Sequence, residues 1–247
     1  MELRLGKVFV FLLMYLCSVS AYAKVSIFIN QQAFEYDMPV RLNQVLAPVS
    51  SSTDWYWPAS AVYDLNDPTA ETLKKETLDL ILSELKRLDS DDVDYIVLDN
   101  VYRQVSSWSV ATRKHVEVSY NLARVYPSKN PMFQPGKYLI RLFMRPEVTH
   151  VSGAVKTAGA YQFKNNSELA SISHGVALSP NANNSDVWVI SPQGEVSIEG
   201  KAYWNKGFNQ LMPGSQLYFP VSESLFSSSI AKINERVAQL AVHRILP

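Results

Sequence analysis

Apolar residues follow three rhythms along this chain. The first is an unbroken apolar run from Val8 to about Val19, preceded by Arg4 and Lys7 and followed by Ala21-Tyr22-Ala23. A basic start, a short apolar stretch and a small-x-small site read as a cleavable secretory leader over residues 1–23. The run falls short of the roughly 20 apolar residues that a spanning helix needs. The second rhythm is alternation, the signature of half-buried strands. It occurs at Val25–Ile29, Ala33–Met38, His115–Tyr120, Tyr138–Phe143, Val148–Val155, Val187–Ile190, Glu195–Ile198 and Gln216–Val221. Asn30-Gln31-Gln32 is the expected turn of a first hairpin, and Ser191-Pro192-Gln193-Gly194 that of a later one.

The third rhythm is helical. After Asp67, a capping residue, and Pro68, suited to a first turn, the residues Leu73, Leu80, Ile81, Leu85 and Leu88 share one face. Asp89 to Asp92 ends this helix, and Tyr95-Ile96-Val97-Leu98 fits either a strand or a helix running on toward Arg103. Short helices are expected at Val40–Leu46 and Leu169–Val176. A long one from Ser222 to Leu246 carries the stripe Phe226, Ile230, Ile233, Val237, Leu240 and Ala241, which either packs on its own domain or docks to a partner or membrane surface.

One echo links the two halves. Phe133-Gln134-Pro135-Gly136-Lys137-Tyr138-Leu139-Ile140 and Leu211-Met212-Pro213-Gly214-Ser215-Gln216-Leu217-Tyr218 each turn at Pro-Gly into an apolar strand, 78 residues apart. Two copies of one small α+β unit follow, the first enlarged by an insertion. The expected division is residues 24–146 with a helical insertion at about 50–90, then 147–221, then a C-terminal amphipathic helix over 222–247.

Composition narrows the chemistry. The one cysteine, Cys17, lies in the leader, so residues 24–247 form no disulfide and must be held by apolar cores. Lys+Arg and Asp+Glu both number 23, and removal of the leader leaves a net charge near −1. Without a basic block, nucleic acid is not an expected partner. The catalytic and nucleotide-binding signatures G-x-S-x-G, H-E-x-x-H, G-x-G-x-x-G and the Walker loop do not occur. His115, His150, His174 and His243 lack metal-ligand spacing. No catalytic residue, metal or cofactor is therefore expected, and the chain does not read as an enzyme. Asp89, Asp91, Asp92 and Asp94 could in principle flank a glycosidic bond, but a solvated turn explains them better. Trp55, Tyr56 and Trp57 could stack on sugar rings or clamp the insertion. Trp108, Trp188 and Trp204 sit among strand patterns as core residues.

The run Val151-Ser152-Gly153-Ala154-Val155-Lys156-Thr157-Ala158-Gly159-Ala160-Tyr161 resembles the opening of a soluble ligand-binding β-grasp (SLBB-like) domain, with Ala158 where Pro is usual. Leu211-x-Pro213-Gly214-x-x-Leu217-x-x-Pro220 resembles its closing strand. With the leader, the Trp55-Tyr56-Trp57-Pro58-Ala59 segment, the insertion helix and Arg113 before a strand, the whole chain resembles the capsule-biosynthesis GfcC (YjbG-like) family. That resemblance implies two β-grasp domains in the periplasm, related to outer-membrane polysaccharide export proteins. It also implies a non-enzymatic accessory role in capsule or exopolysaccharide secretion, with polysaccharide or the export machinery as partner. Arg113, Trp55 and Trp57 are the binding residues it suggests. A guanidinium at 113 suits a glycan carboxylate or a protein partner, or else forms a structural ion pair. A polysaccharide-modifying enzyme and a structural protein docking by its C-terminal helix remain the alternatives.

Overall fold

A computed structural model describes residues 24–163, 169–202, 210–223 and 228–247. The leader with Cys17, Asn165 to Ser167, Trp204 and Phe226 lie outside the described residues.

In chain order the first half contains β1 (Val25–Ile29), β2 (Gln32–Tyr36), β3 (Val40–Arg41), α1 (Leu42–Leu46), β4 (Ala61–Asp64), α2 (Thr69–Leu85) and α3 (Val93–Ser107). It continues through β5 (Thr112–Lys114), α4 (Tyr120–Val125), β6 (Met132–Phe133) and β7 (Gly136–Arg141). The second half contains β8 (Val148–Gly153), β9 (Gly159–Gln162), α5 (Leu169–Gly175), β10 (Asp186–Ile190), β11 (Val196–Gly200), β12 (Gln216–Phe219) and α6 (Ser228–Val242).

The two five-stranded sheets share one topology. Their orders are β2-β1-β7-β4-β5 and β9-β8-β12-β10-β11. In each, the first strand of the unit runs parallel to the last (β1 with β7, β8 with β12), and every other pairing is antiparallel. The Pro-Gly echo falls on equivalent strands, since Pro135-Gly136 enters β7 and Pro213-Gly214 precedes β12. A parallel pair needs a long crossover, and in both units the intervening chain supplies it.

The alternation along each strand fills a core on one face. Val25, Ile27, Ile29, Val62 and Ile140 meet Leu42, Val45 and Leu46 of α1 and Ala123 of α4. In the second sheet, Val151, Val187, Val189, Leu217 and Phe219 meet Leu169 and Ile172 of α5. The other faces are covered differently. Behind the first sheet lies a small cluster of Ala61, Tyr63 and Ala111, with Leu139 and Ile245 of the C-terminal tail. Behind the second, Ile190 and Tyr218 join a large core built from α2, α3 and α6. The helices inserted between β4 and β5 of the first unit thus cover the sheet of the second. Gln104 of α3 grips the end of β8, donating from Nε2 to Gly153 O (2.9 Å) and accepting at Oε1 from Gly153 N (2.8 Å). The stripe Ile230, Ile233, Val237, Leu240 and Ala241 of α6 is buried in the same core.

The expected cap moves by one residue: Pro68 is the N-cap of α2 and has no capping side chain, while Asp67, one position before it, accepts at Oδ1 from Thr69 N (3.0 Å) and Thr69 Oγ1 (2.6 Å). Tyr95–Leu98 belongs to a helix, because Val97, Val101 and Val105 are buried at intervals of four. The acidic run Asp89 to Asp92 is therefore a turn between two helices. The β reading of His115–Tyr120 does not hold: the strand is only Thr112–Lys114. Ser119 then caps α4, its side chain accepting from Leu122 N at 3.3 Å. Val118 is buried, so the alternation was real, but it fills the first core from an irregular segment.

Candidate functional site

A cleft of about 640 Å³ opens where the two halves meet. The first half contributes Trp57 from a 3-10 turn at Trp57–Ala59, Arg113 from β5, and the segment His115 to Ser119. The second contributes Gln193 and Glu195 from the β10–β11 turn, and Met212. Trp57, Val116, Val118, Leu122 and Met212 make its apolar wall, and the remaining lining is mostly polar.

Arg113 sits at the junction of three segments. Its guanidinium donates to Pro192 O of the β10–β11 turn. Its backbone N–H donates to His243 Nδ1 of the C-terminal tail at 3.1 Å, which fixes that ring's tautomer. Gly194 lies against it with φ +89; a Cβ there would stand 3.2 Å from Arg113 Nε and 3.1 Å from Val242 Cγ1. Burial pulls the Arg113 pKa below its ordinary value, partly offset by Tyr63. Among the described residues no carboxylate forms an ion pair with Arg113. The guanidinium has five donor hydrogens, and Pro192 O accepts one of them.

Lys114, next to Arg113, is neutralised by two acidic side chains. Its ammonium pairs with Asp64 (3.2 Å) and Asp67 (3.5 Å). Hydrogen bonding to Asp64 raises its pKa. Glu117 at the cleft is likewise paired, with Lys129 at 2.7 Å.

The three suggested binding residues separate. Trp57 and Arg113 line the same cleft. Trp55 lies elsewhere: its Nε1 donates to Val49 O (2.8 Å), its ring packs on the first core, and it borders a different cleft of about 470 Å³. Tyr56 carries the Arg145 guanidinium 5.1 Å over its ring. Sequence reading missed Gln193, Glu195 and Met212. The Ser191–Gly194 turn was legible, but nothing local to it says that it closes on a strand 79 residues earlier. Among the described residues no group of three His, Cys, Asp or Glu could hold a metal ion, and no helix is long and apolar enough to cross a membrane.

Fold and cleft together define an α+β protein of two topologically equivalent sheet units sharing a junctional cleft. The chain belongs to the capsule biosynthesis GfcC family: "Capsule biosynthesis GfcC, N-terminal" matches residues 21–147 and "Capsule biosynthesis GfcC C-terminal" matches residues 157–246. It is 25% identical over 190 residues to the "Uncharacterized protein YjbG" of Escherichia coli (strain K12), covering 77% of each chain.

Proposed function

We propose that this chain is a non-enzymatic, periplasmic accessory of capsule or exopolysaccharide secretion, and that the junctional cleft binds a short stretch of glycan. Family membership supports the capsule context. The leader read over residues 1–23 supports export, and the shared 2-1-5-3-4 strand order of both units supports the tandem β-grasp reading.

The observation that carries the glycan reading is the pairing of Trp57 with Arg113 in one cleft. An indole offers a flat apolar face to the C–H side of a sugar ring, and a guanidinium gives directional donors to its hydroxyl or carboxylate oxygens. A volume of about 640 Å³ suits a ligand of two or three sugars.

The test is a strain lacking this protein, complemented with the wild-type chain or with Trp57→Ala, measuring total glycan and glycan at the cell surface. The expected outcome is normal synthesis with surface glycan reduced several-fold in the null, and only partial rescue by Trp57→Ala. Unchanged amount and location with altered chain length would overturn the accessory reading and favour a hydrolase using the cleft carboxylates Glu117 and Glu195.

A further inference from the structure

We infer that the protein has a second ligand site, an oxyanion site formed by Arg141 at the end of β7 and Arg244 in the C-terminal tail, remote in role from the Trp57–Arg113 cleft. Both arginines border one cleft of about 360 Å³, together with Ser107, Trp108, Ser109 and Leu246. None of its lining side chains is acidic.

Each of the two guanidiniums is held over an aromatic ring. Arg141 lies 5.3 Å over the Phe143 ring, and Arg244 lies 4.7 Å over the Trp108 ring. Such stacking fixes the plane of a guanidinium while leaving its N–H edge available. Arg141 Nε is buried and has no hydrogen-bond partner. Among the described residues neither arginine has a carboxylate within ion-pair distance.

Burial pulls Arg244 down to about 10. His150 on β8 is lowered to about 4 by burial and by the charge of Arg244. Burial raises the pKa of Tyr63, on the strand beside β7, and the charges of Arg113 and Arg141 oppose that shift. A largely buried guanidinium without an anion is costly. A bound phosphate or carboxylate would accept from the outer guanidinium N–H groups, while the Ser107 hydroxyl already donates to Gln104 O (2.6 Å). The fold provides this arrangement at some expense: Tyr63 Oη donates to Arg244 O (2.9 Å) and Ile245 N donates to Ser109 O (2.9 Å), fastening the tail that carries Arg244.

The ligand is therefore a single oxyanion, either a phosphate or the carboxylate of an acidic sugar. Purified protein is titrated with inorganic phosphate and, in parallel, with glucuronate, following thermal unfolding and the Arg Nε–Hε resonances in a ¹⁵N spectrum. Expected is a melting temperature that climbs with one of the two anions, a shift of the Arg141 Nε signal in the wild type, and loss of both responses in Arg141→Gln and Arg244→Gln. The anion giving the larger response names the group. Arg113→Gln is expected to keep the shift of the Arg141 Nε signal, which separates this site from the glycan cleft. The ¹⁵N measurement needs no variant, so misfolding of a substituted chain leaves the test intact. No response to either anion in the wild type, or a response unchanged in both variants, overturns the site.

Discussion

The two sheets have the same strand order, yet their second faces are covered by different parts of the chain. The first unit closes its second face with little more than the C-terminal tail, around Ala61, Tyr63 and Ala111. The second unit has α2, α3 and α6 on its second face, two of them supplied by the first unit. A sheet with apolar residues on both faces must bury both, and Ile190 and Tyr218 are apolar positions that the second unit's own chain between β8 and β12 does not cover. The insertion therefore acts as an interdomain cover, and the stability of the second unit depends on residues 69–107 of the first.

Equivalent positions at the end of the first strand of each unit sharpen the contrast. Asn30 follows β1 with φ 52, and Gly153 ends β8 with φ 98. Asn30 uses its side chain, donating to Leu142 O (3.1 Å) and accepting from Leu142 N (3.0 Å). Gly153 has no room for one: a Cβ would stand 2.1 Å from Phe219 O. The largest effect is accordingly expected for Gly153→Ala, a loss of about 3–5 kcal/mol in urea unfolding from strain and backbone collision together. Gly159→Ala, with nothing within 4 Å of its Cβ but φ +149, should cost only about 1 kcal/mol. Equal losses at the two glycines would break the steric argument.

Next in size is the polar staple of the helical cover. Asn234 is fully buried in α6; its Oδ1 accepts from Tyr218 Oη (2.8 Å) and Val221 N (3.0 Å), and its Nδ2 donates to Val221 O (2.9 Å). Asn234→Ala strands three buried groups and is expected to cost about 2–4 kcal/mol. Hydrogen exchange would show the loss concentrated in β12 and α6. Uniform loss across both sheets would mean that the two units unfold as one.

Asn30→Ala removes the two bonds to Leu142 and sets alanine in a left-handed conformation, for about 1–2 kcal/mol, whereas Asn30→Gly keeps the backbone at ease and should cost less. An alanine variant as stable as the wild type would show that the hairpin turn of the first unit is held by register alone.

The last effect is in pH. His150 has a folded pKa of about 4 against an ordinary 6.5, lowered by burial and Arg244. Between those values the unfolded chain binds a proton that the folded chain does not, so stability falls as pH drops from 6.5 toward 4 and is flat above about 7. His243, also lowered by burial and Arg113, acts in the same direction. The melting temperature of His150→Gln should depend less on pH over this window. An unchanged slope would assign the acid sensitivity elsewhere.

Sequence alone fixed the local grammar of this protein. Alternation placed most of the strands, period 3.6 placed α2 and α6, and Asp67 with Pro68 marked the start of α2. The repeated Pro-Gly turn located two equivalent closing strands, because these signals depend on neighbours a few residues apart. The family resemblance singled out Trp57 and Arg113. The sequence left Tyr95–Leu98 open between strand and helix, since four apolar residues fit either period, and it read the buried Val118 as part of a strand. Only the tertiary structure decided which sheet the insertion covers, that Lys114 is neutralised by Asp64 and Asp67, and that Trp55 leaves the cleft Trp57 enters. It alone brought Pro192 and Gly194 onto Arg113, and Arg244 to the cleft that Arg141 borders. Each of these is a meeting of segments many residues apart, set by how two sheets and a shared helical layer pack, and no short-range pattern in the chain encodes it.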